Sequence, residues 1–233
     1  MPRVKFEYNL VKDVWNVLRV INVPPTFDPE NLKRPLGKLP EGIINEVKKE
    51  INPIKQENLV KNFLESEMNN KRTLIDQQIV KFTEKWTKIN EEYFKRLERI
   101  FNITISPETI YRAYLTSAGS CPFNPKERYF MVRLDDDGVD AVAAHEILHI
   151  EFIRKYGLYC RDVLQLSPKD FGAFQEASTF LLNDEMSDLM SRPDYGYKEH
   201  KELRSKLSSE WSKSKNVKDL LSYYKNLLGQ TES

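Results

Sequence analysis

The sequence is poor in cysteine and histidine. Its two cysteines, Cys121 and Cys160, are too few for a disulfide framework and lack the spacing of a thiolate zinc site. We therefore expect two free, buried thiols. At 233 residues the chain is long enough to bury a core without covalent staples. Histidine occurs three times in all, so a pattern that uses two of the three is informative.

The sequence also has no excess of charge and no long apolar run. Lys and Arg number 36 against 35 Asp and Glu, a formal net charge of +1, so bulk attraction to nucleic acid or to an anionic membrane is not expected. The N-terminus has no apolar stretch of signal-peptide length, and no run of about 18 apolar residues could span a bilayer. We expect a cytoplasmic protein with no membrane or nucleic-acid partner.

Helical periodicity dominates the first hundred residues. Apolar residues recur at helical spacing over residues 10–21, prolines indicate an irregular segment over 26–40, and a helix fits residues 41–51. Residues 56–101 form a long helical region with a predicted break near Asn69-Asn70.

A continuous apolar stripe runs along the second part of that region. It could be covered by the rest of the domain, by the preceding helix or by a second subunit. Its bulky aromatics suit a globular helix layer better than a coiled-coil seam, so we expect it to pack on the core. The oligomeric state is not predicted. The stripe consists of Ile75, Ile79, Phe82, Trp86, Ile89, Tyr93, Leu97 and Ile100.

After Asn102 the pattern changes to strands and then returns to helices. Residues 109–116 and 128–134 are rich in β-branched and aromatic residues, and we expect them to form an antiparallel hairpin. Helices are predicted over residues 137–157, 167–183, 198–213 and 216–228. The expected fold is therefore a mainly helical α+β protein, with a small antiparallel sheet packed on the helix of residues 137–157.

That helix carries the sequence His145-Glu146-Ile147-Leu148-His149. Residues i and i+4 of a helix lie on one face, so the two imidazoles can bind a single ion. Glu146 is displaced about 100° around the axis from His145, where it could take a proton from a metal-bound water without being a ligand. The spacing predicts two metal ligands and a catalytic base.

A third ligand is needed, because catalytic zinc usually takes three protein ligands and leaves the fourth position for water. Glu176 is the best candidate, since small residues beside it would let its helix approach the first one closely. These small neighbours are Gly172, Ala173 and Ala177. The alternative ligands are His200, Asp170 and Asp184.

With these residues the chain resembles the gluzincins, which are zinc metallopeptidases with an HExxH helix and a glutamate ligand on a later helix. The resemblance covers residues 103–185 and is greatest to the compact, single-domain members. It implies that His145, His149 and Glu176 bind Zn²⁺. It also implies that Glu146 is the general base and that the substrate is a peptide or protein.

The resemblance carries further expectations about the surroundings of the metal. The edge strand that pairs with an extended substrate would correspond to residues 111–117. In many gluzincins an aspartate four residues after the glutamate ligand orients a histidine, whereas this chain has Phe180 there and Asp184 is a poor substitute. The candidates for stabilising the oxyanion are Tyr159, Tyr195, Tyr197 and His200.

The expected function is hydrolysis of peptide bonds by a zinc-dependent peptidase. Residues 102–190 would form the catalytic core and residues 191–233 the C-terminal helices. Residues 1–101 would be a helical region packed on the core, with a role as inhibitory pro-segment left open. The alternative is a non-catalytic, zinc-stabilised protein-interaction or regulatory module. Glu146 favours the enzyme, and the missing orienting aspartate favours the alternative.

Overall fold

The computed structural model describes residues 1–22, 36 and 39–231. Helices make up most of these residues and four strands form one sheet, so the expected mainly helical α+β class is confirmed. In chain order the elements are β1 (Arg3–Tyr8), α1 (Leu10–Asn22), α2 (Glu41–Lys49), α3 (Pro53–Thr87), α4 (Asn90–Phe101), β2 (Ile110–Thr116), β3 (Phe123–Asn124), β4 (Tyr129–Arg133), α5 (Val139–Leu158), α6 (Pro168–Ala177), α7 (Phe180–Met186), α8 (Lys201–Ser214) and α9 (Val217–Thr231). A π turn (Tyr159–Val163) extends α5, and a 3-10 turn (Lys198–His200) precedes α8.

Most of the irregular segment predicted over residues 26–40 lies outside the described residues. Within the described part of the chain, no helix combines the length and the apolar character that crossing a membrane requires.

The sheet has the strand order β1-β2-β4-β3 and is mixed. β1 pairs with β2 in parallel, β2 pairs with β4 in parallel, and β3 runs antiparallel to β4. The expected antiparallel pairing of residues 109–116 with 128–134 is therefore wrong. The two-residue strand β3, which lies between Pro122 and Pro125, reverses the chain before β4 begins. The antiparallel hairpin is β3–β4, and it leaves β4 parallel to β2.

Residues 1–101 contribute a strand as well as helices to this architecture. β1 pairs with β2 along its whole length, from Arg3 opposite Ile110 to Tyr8 opposite Leu115. Its alternate residues Val4 and Phe6 are buried in the largest hydrophobic core, as the period-2 pattern of a strand requires. The N-terminal region and the residues after 102 therefore share one sheet and one core.

The longest helix, α3, is continuous for 35 residues. The predicted break near Asn69-Asn70 is wrong, because an exposed asparagine lowers helix propensity by less than about 1 kcal/mol and leaves the hydrogen bonds of the helix intact. The chain breaks between α3 and α4 instead. There the side chain of Asn90 accepts from the indole N–H of Trp86 (2.6 Å) and donates to the carbonyl of Pro2 (2.9 Å).

Two hydrophobic cores meet along α3. Its first half supplies Val60 and Leu64 to a smaller core with α1 and α2, and its second half supplies Ile75 and Phe82 to the large core under the sheet. The predicted apolar stripe is buried in or packed against the large core along its length, so the prediction that it packs on the core is confirmed.

Helix α5 is the central element of the large core and is buried along most of its 20 residues. Ala143 and Ala144 have no exposed surface, and small side chains here let α4 approach. As a result the hydroxyl of Tyr93 donates to the carbonyl of Ala144 (2.6 Å). The predicted helix over residues 167–183 is divided into α6 and α7 at Ser178 and Thr179.

Candidate metal centre

Helix α5 brings the two predicted histidine ligands together. The Nε2 atoms of His145 and His149 are 2.9 Å apart, and the two rings are nearly perpendicular at 85°. This arrangement follows from the i, i+4 spacing, which stacks the two side chains on one face of the helix. The Nε2 atoms of both rings therefore face one common position.

Glu176 on α6 completes the group. Its Oε2 lies 3.5 Å from His149 Nε2 and 3.9 Å from His145 Nε2. Among the described residues, this trio is the one group of three or more His, Cys, Asp or Glu whose ligand atoms converge closely enough to hold a metal ion. The structure therefore places the three sequence-predicted ligands in one site.

The dimensions of the trio fit a small divalent cation. The three ligand atoms form a triangle with sides of 2.9, 3.5 and 3.9 Å. A point equidistant from its corners is about 2.0 Å from each, which is the usual length of zinc bonds to imidazole and carboxylate. Two imidazoles and a carboxylate form a ligand set that occurs with zinc and with iron(II), and such a set leaves a further position for water.

The alternative ligands are engaged elsewhere. Asp184 accepts from the hydroxyl of Ser208 (2.6 Å), and Asp170 accepts from the hydroxyl of Ser167 (2.5 Å) at the start of α6. His200 is not a member of the converging trio. Burial acts to raise the pKa of Glu176, but the hydrogen bond and charge of His149, then the charge of His145 and last that of His200 lower it.

The site is open on one side. The His149 side chain is 1% exposed, whereas those of His145 and Glu176 are 21% and 27% exposed. Access from solvent is therefore past His145 and Glu176. Tyr195 and Tyr197, two of the candidates for stabilising the oxyanion, are well exposed.

The residue that orients His145 is Asp194, which sequence reasoning missed. The Nδ1–H of His145 donates to Asp194 Oδ2 at 2.6 Å. This bond leaves Nε2 free to face the metal position and fixes the ring. The position four residues after Glu176 is Phe180, which is buried in the hydrophobic core. The orienting carboxylate thus comes from a loop instead of from that helix.

Asp194 is itself held by several bonds. Its main chain exchanges two hydrogen bonds with the side chain of Asn183, each 2.8 Å long. Its Oδ1 accepts from the Thr179 hydroxyl (2.8 Å) and pairs with Arg204 (3.0 Å), which also donates to the Asp194 carbonyl (2.9 Å). Burial works to raise the pKa of Asp194, but the bonds from His145 and Thr179 and the charge of Arg204 lower it to about 2.

The pKa values of the two histidines are shifted in opposite directions. Burial alone would lower the pKa of His145, but the hydrogen bond to Asp194 and the neighbouring carboxylates raise it to about 9. Burial and the charge of His145 lower the pKa of His149 to about 4. At neutral pH the pair therefore carries one positive charge, on His145, and His149 is neutral.

Glu146 projects beside the trio as a buried and incompletely bonded carboxylate. It is 8% exposed, and its Oε2 has no hydrogen-bond partner among the described residues. Burial, with the charges of Glu176 and Asp194, raises its pKa to about 8 despite the opposing charge of His145. An unpartnered buried carboxylate costs stability, so its presence here has to be explained by something other than folding.

The sheet edge beside the centre is β3 and not the strand predicted from the family resemblance. β2, which includes most of residues 111–117, is interior because β1 and β4 pair with its two sides. The ring of Phe123 in β3 stacks on the imidazole of His149, with centroids 5.4 Å apart and an interplanar angle of 25°. The expectation that residues 111–117 form the edge is therefore wrong.

Comparison of the chain with models of protein families, with curated proteins and with solved structures gives no match.

Proposed function

We propose that this protein is a zinc-dependent metallopeptidase that hydrolyses peptide bonds in a peptide or protein substrate. The observation that carries the proposal is the convergence of His145, His149 and Glu176 beside the unpartnered carboxylate of Glu146. A site that only stabilised the fold would need the three ligands but would have no use for this fourth group.

Each residue has a distinct task in this reaction. A zinc ion held by the trio would polarise the scissile carbonyl and acidify a water. Glu146 takes a proton from the attacking water and delivers it to the leaving amine. Asp194 keeps the Nδ1–H tautomer of His145, so that Nε2 is the ligand.

Stabilisation of the developing oxyanion is assigned to the segment of residues 195–200. His200 lies near Glu176, and its ring contacts that of Tyr197 with centroids 6.2 Å apart. These two residues and Tyr195 lie within the six residues that follow Asp194 in the sequence. Tyr159 is less suitable, because it lies in the π turn beyond α5, under the ammonium group of Lys218.

The alternative of a non-catalytic, zinc-stabilised interaction module has less support in the structure than in the sequence. Its main support was the missing orienting aspartate, and Asp194 supplies that group.

A cytoplasmic location is part of the proposal. Both cysteines are free thiols, as expected for a reducing compartment, and Cys160 is fully buried while Cys121 is only partly so.

The proposal is tested by metal analysis combined with a cleavage assay. Protein purified without added zinc is analysed for metal and incubated with a peptide library, with and without a chelator. We expect about one zinc per chain and cleavage that the chelator abolishes and zinc restores. Glu146→Gln should keep its zinc but lose activity by about a hundredfold or more, as for loss of a general base. Glu202→Gln, an exposed substitution on α8, serves as the control. Turnover by Glu146→Gln at the wild-type rate would remove Glu146 from the mechanism.

A further inference from the structure

A loop between β2 and β3 leads to Phe123, the residue of β3 that forms part of the wall of the metal centre. This wall loop, residues 117–122, joins Thr116 at the end of β2 to Phe123, whose ring lies on His149. Cys121 in this loop packs against Tyr114, Tyr129 and Met131, and burial, followed by the charges of Glu146 and Asp136, raises the pKa of its thiol to about 12. The path of the wall loop therefore sets the position of the Phe123 ring on His149.

The start of the wall loop is bound to a buried carboxylate of α1. Asp13, which has no exposed surface, accepts from the Thr116 hydroxyl (2.6 Å) and from the backbone N–H (3.0 Å) and hydroxyl (3.1 Å) of Ser117. The next residue, Ala118, is 1% exposed and packs into the smaller core with residues of α1, α2 and α3. The loop leaves the sheet already attached to the N-terminal helices.

The end of the wall loop is bound by the next turn of α1. The fully buried Asn16 donates from Nδ2 to the Ser120 carbonyl (2.8 Å) and to Thr116 Oγ1 (3.0 Å). Arg19 donates to the Asn16 side-chain oxygen (3.0 Å from Nη2) and, from the same nitrogen, to the Ser120 hydroxyl (2.7 Å). Asn16 thus spans both ends of the loop, and Arg19 holds Asn16 in the orientation that does so.

Two facts separate this arrangement from ordinary packing. A polar network around the buried side chains of Asp13, Asn16 and Thr116 specifies one geometry, because displacing any of them leaves buried donors and acceptors without partners. The residues that provide it are also far from the loop in sequence, with about a hundred residues between Asn16 and Ser120. A smaller apolar side chain in the same core would weaken the fold without releasing the loop in this way.

We propose that Asn16 and Arg19 are positioning residues for the metal centre, which set the wall loop and through it the placement of Phe123 on His149. The inference rests on the proposed function for the metal at His149. In this proposal α1 supports the geometry of the metal centre. An inhibitory pro-segment, in contrast, would cover the site and could be removed without disturbing it.

The experiment uses Cys121 as a natural reporter of the loop. The full chain and its variants are treated with a thiol reagent under native conditions, and mass spectrometry separates the modification of Cys121 from that of Cys160. Asn16→Ala and Arg19→Ala should raise the rate at Cys121 by about tenfold, because each releases at least one hydrogen bond that keeps the loop closed. Arg19→Lys, which can still donate to Ser120, should return the rate towards that of the wild type.

The matched control is Val47→Ala. Val47 is fully buried in the same small core and makes no hydrogen bond to the loop, so this variant lowers stability without releasing Ser120. Its Cys121 rate should follow the wild type when the variants are compared at equal free energy of unfolding. Equal acceleration in Val47→Ala, or wild-type rates in folded Asn16→Ala and Arg19→Ala, would overturn the proposal. Should Asn16→Ala not fold, Arg19→Ala at its partly exposed position carries the same comparison.

A second readout addresses the metal. Co²⁺ loaded in place of zinc absorbs visible light with a spectrum that depends on ligand geometry. Asn16→Ala should change this spectrum, and Val47→Ala should not. The labelling experiment needs neither metal nor turnover, so a failure of the proposed function and a failure of the positioning role give different results. An unchanged cobalt spectrum in Asn16→Ala would show that the loop does not act on the centre.

Discussion

The metal centre is assembled from two regions that differ in how their geometry is determined. In α5, the two histidines are placed by the repeat of a buried helix, and their separation needs no partner outside it. In the segment of residues 191–200, Asp194 lies in a loop without such a repeat, and it is placed by side chains of α7, α8 and the α6–α7 turn. Ligand spacing is therefore local, whereas ligand orientation is set over long range.

Removing the two histidines of α5 should have the largest effect on zinc binding. The double variant His145→Ala, His149→Ala leaves a single carboxylate, which is too weak to retain zinc, so the variant should be purified without metal and without activity. His200→Ala is the matched control, because the third histidine is outside the trio and should leave the zinc content unchanged. Near-full zinc occupancy in the double variant would end the metal hypothesis.

Glu176 belongs to neither region and links them, so its replacement should have the next largest effect. Glu176→Gln keeps the shape of the side chain but removes the charge that offsets that of the cation. Zinc affinity should fall by about a hundredfold or more, beyond the ten- to hundredfold typical for groups that only orient a ligand. The measurement is competition with a chelator of known affinity. A change of less than tenfold would remove Glu176 from the ligand set.

Loss of the carboxylate that orients His145 should weaken zinc binding without abolishing it. Asp194→Asn keeps the fold of the loop but gives His145 a poorer acceptor, and zinc affinity should fall by about ten- to hundredfold. Asn183→Ala, which removes both hydrogen bonds to the main chain of Asp194, should act in the same direction by a smaller factor. Asp184→Asn is the control, since that carboxylate binds Ser208 instead. If all three variants bind zinc equally, His145 does not need Asp194.

The smallest effect should come from a glycine in the loop. Gly196 has φ +60, and a Cβ there would lie 2.7 Å from the guanidinium of Arg204, which must then release Asp194 or move. Gly196→Ala should therefore lower stability by about 1–2 kcal/mol. Gly172→Ala in α6, where a Cβ meets nothing within 4 Å, should be neutral or stabilising by up to about 1 kcal/mol. The midpoints of thermal unfolding of the two variants are compared with that of the wild type. Equal midpoints for Gly196→Ala and Gly172→Ala would contradict the prediction.

The same contrast explains which features could be predicted from the sequence. The convergence of His145 and His149 was predictable because helical periodicity fixes faces. Glu176 was also predicted, but the small residue Gly172 behind that prediction has open space around it and marks no close approach. The parallel pairing of β2 with β4 was not predicted, since the two residues of β3 between prolines carry no strand pattern. Asp194 gave no sequence signal, because nothing near it in the sequence shows that Asn183 and Arg204 will hold it. The supports from Asp13 and Asn16 were hidden for the same reason, being far from the centre along the chain.

X-ray absorption at the metal edge of the protein as purified tests the central claim most directly. It reports the identity of the bound metal, the kinds of ligand atom and the lengths of their bonds. The account predicts zinc with two imidazole nitrogens at about 2.0–2.1 Å and a carboxylate oxygen and a water at about 2.0–2.2 Å. The signal of two imidazoles should be unchanged in His200→Ala. A spectrum with sulfur ligands, or with a third imidazole that disappears in His200→Ala, would contradict the assignment of His145, His149 and Glu176 as the ligands.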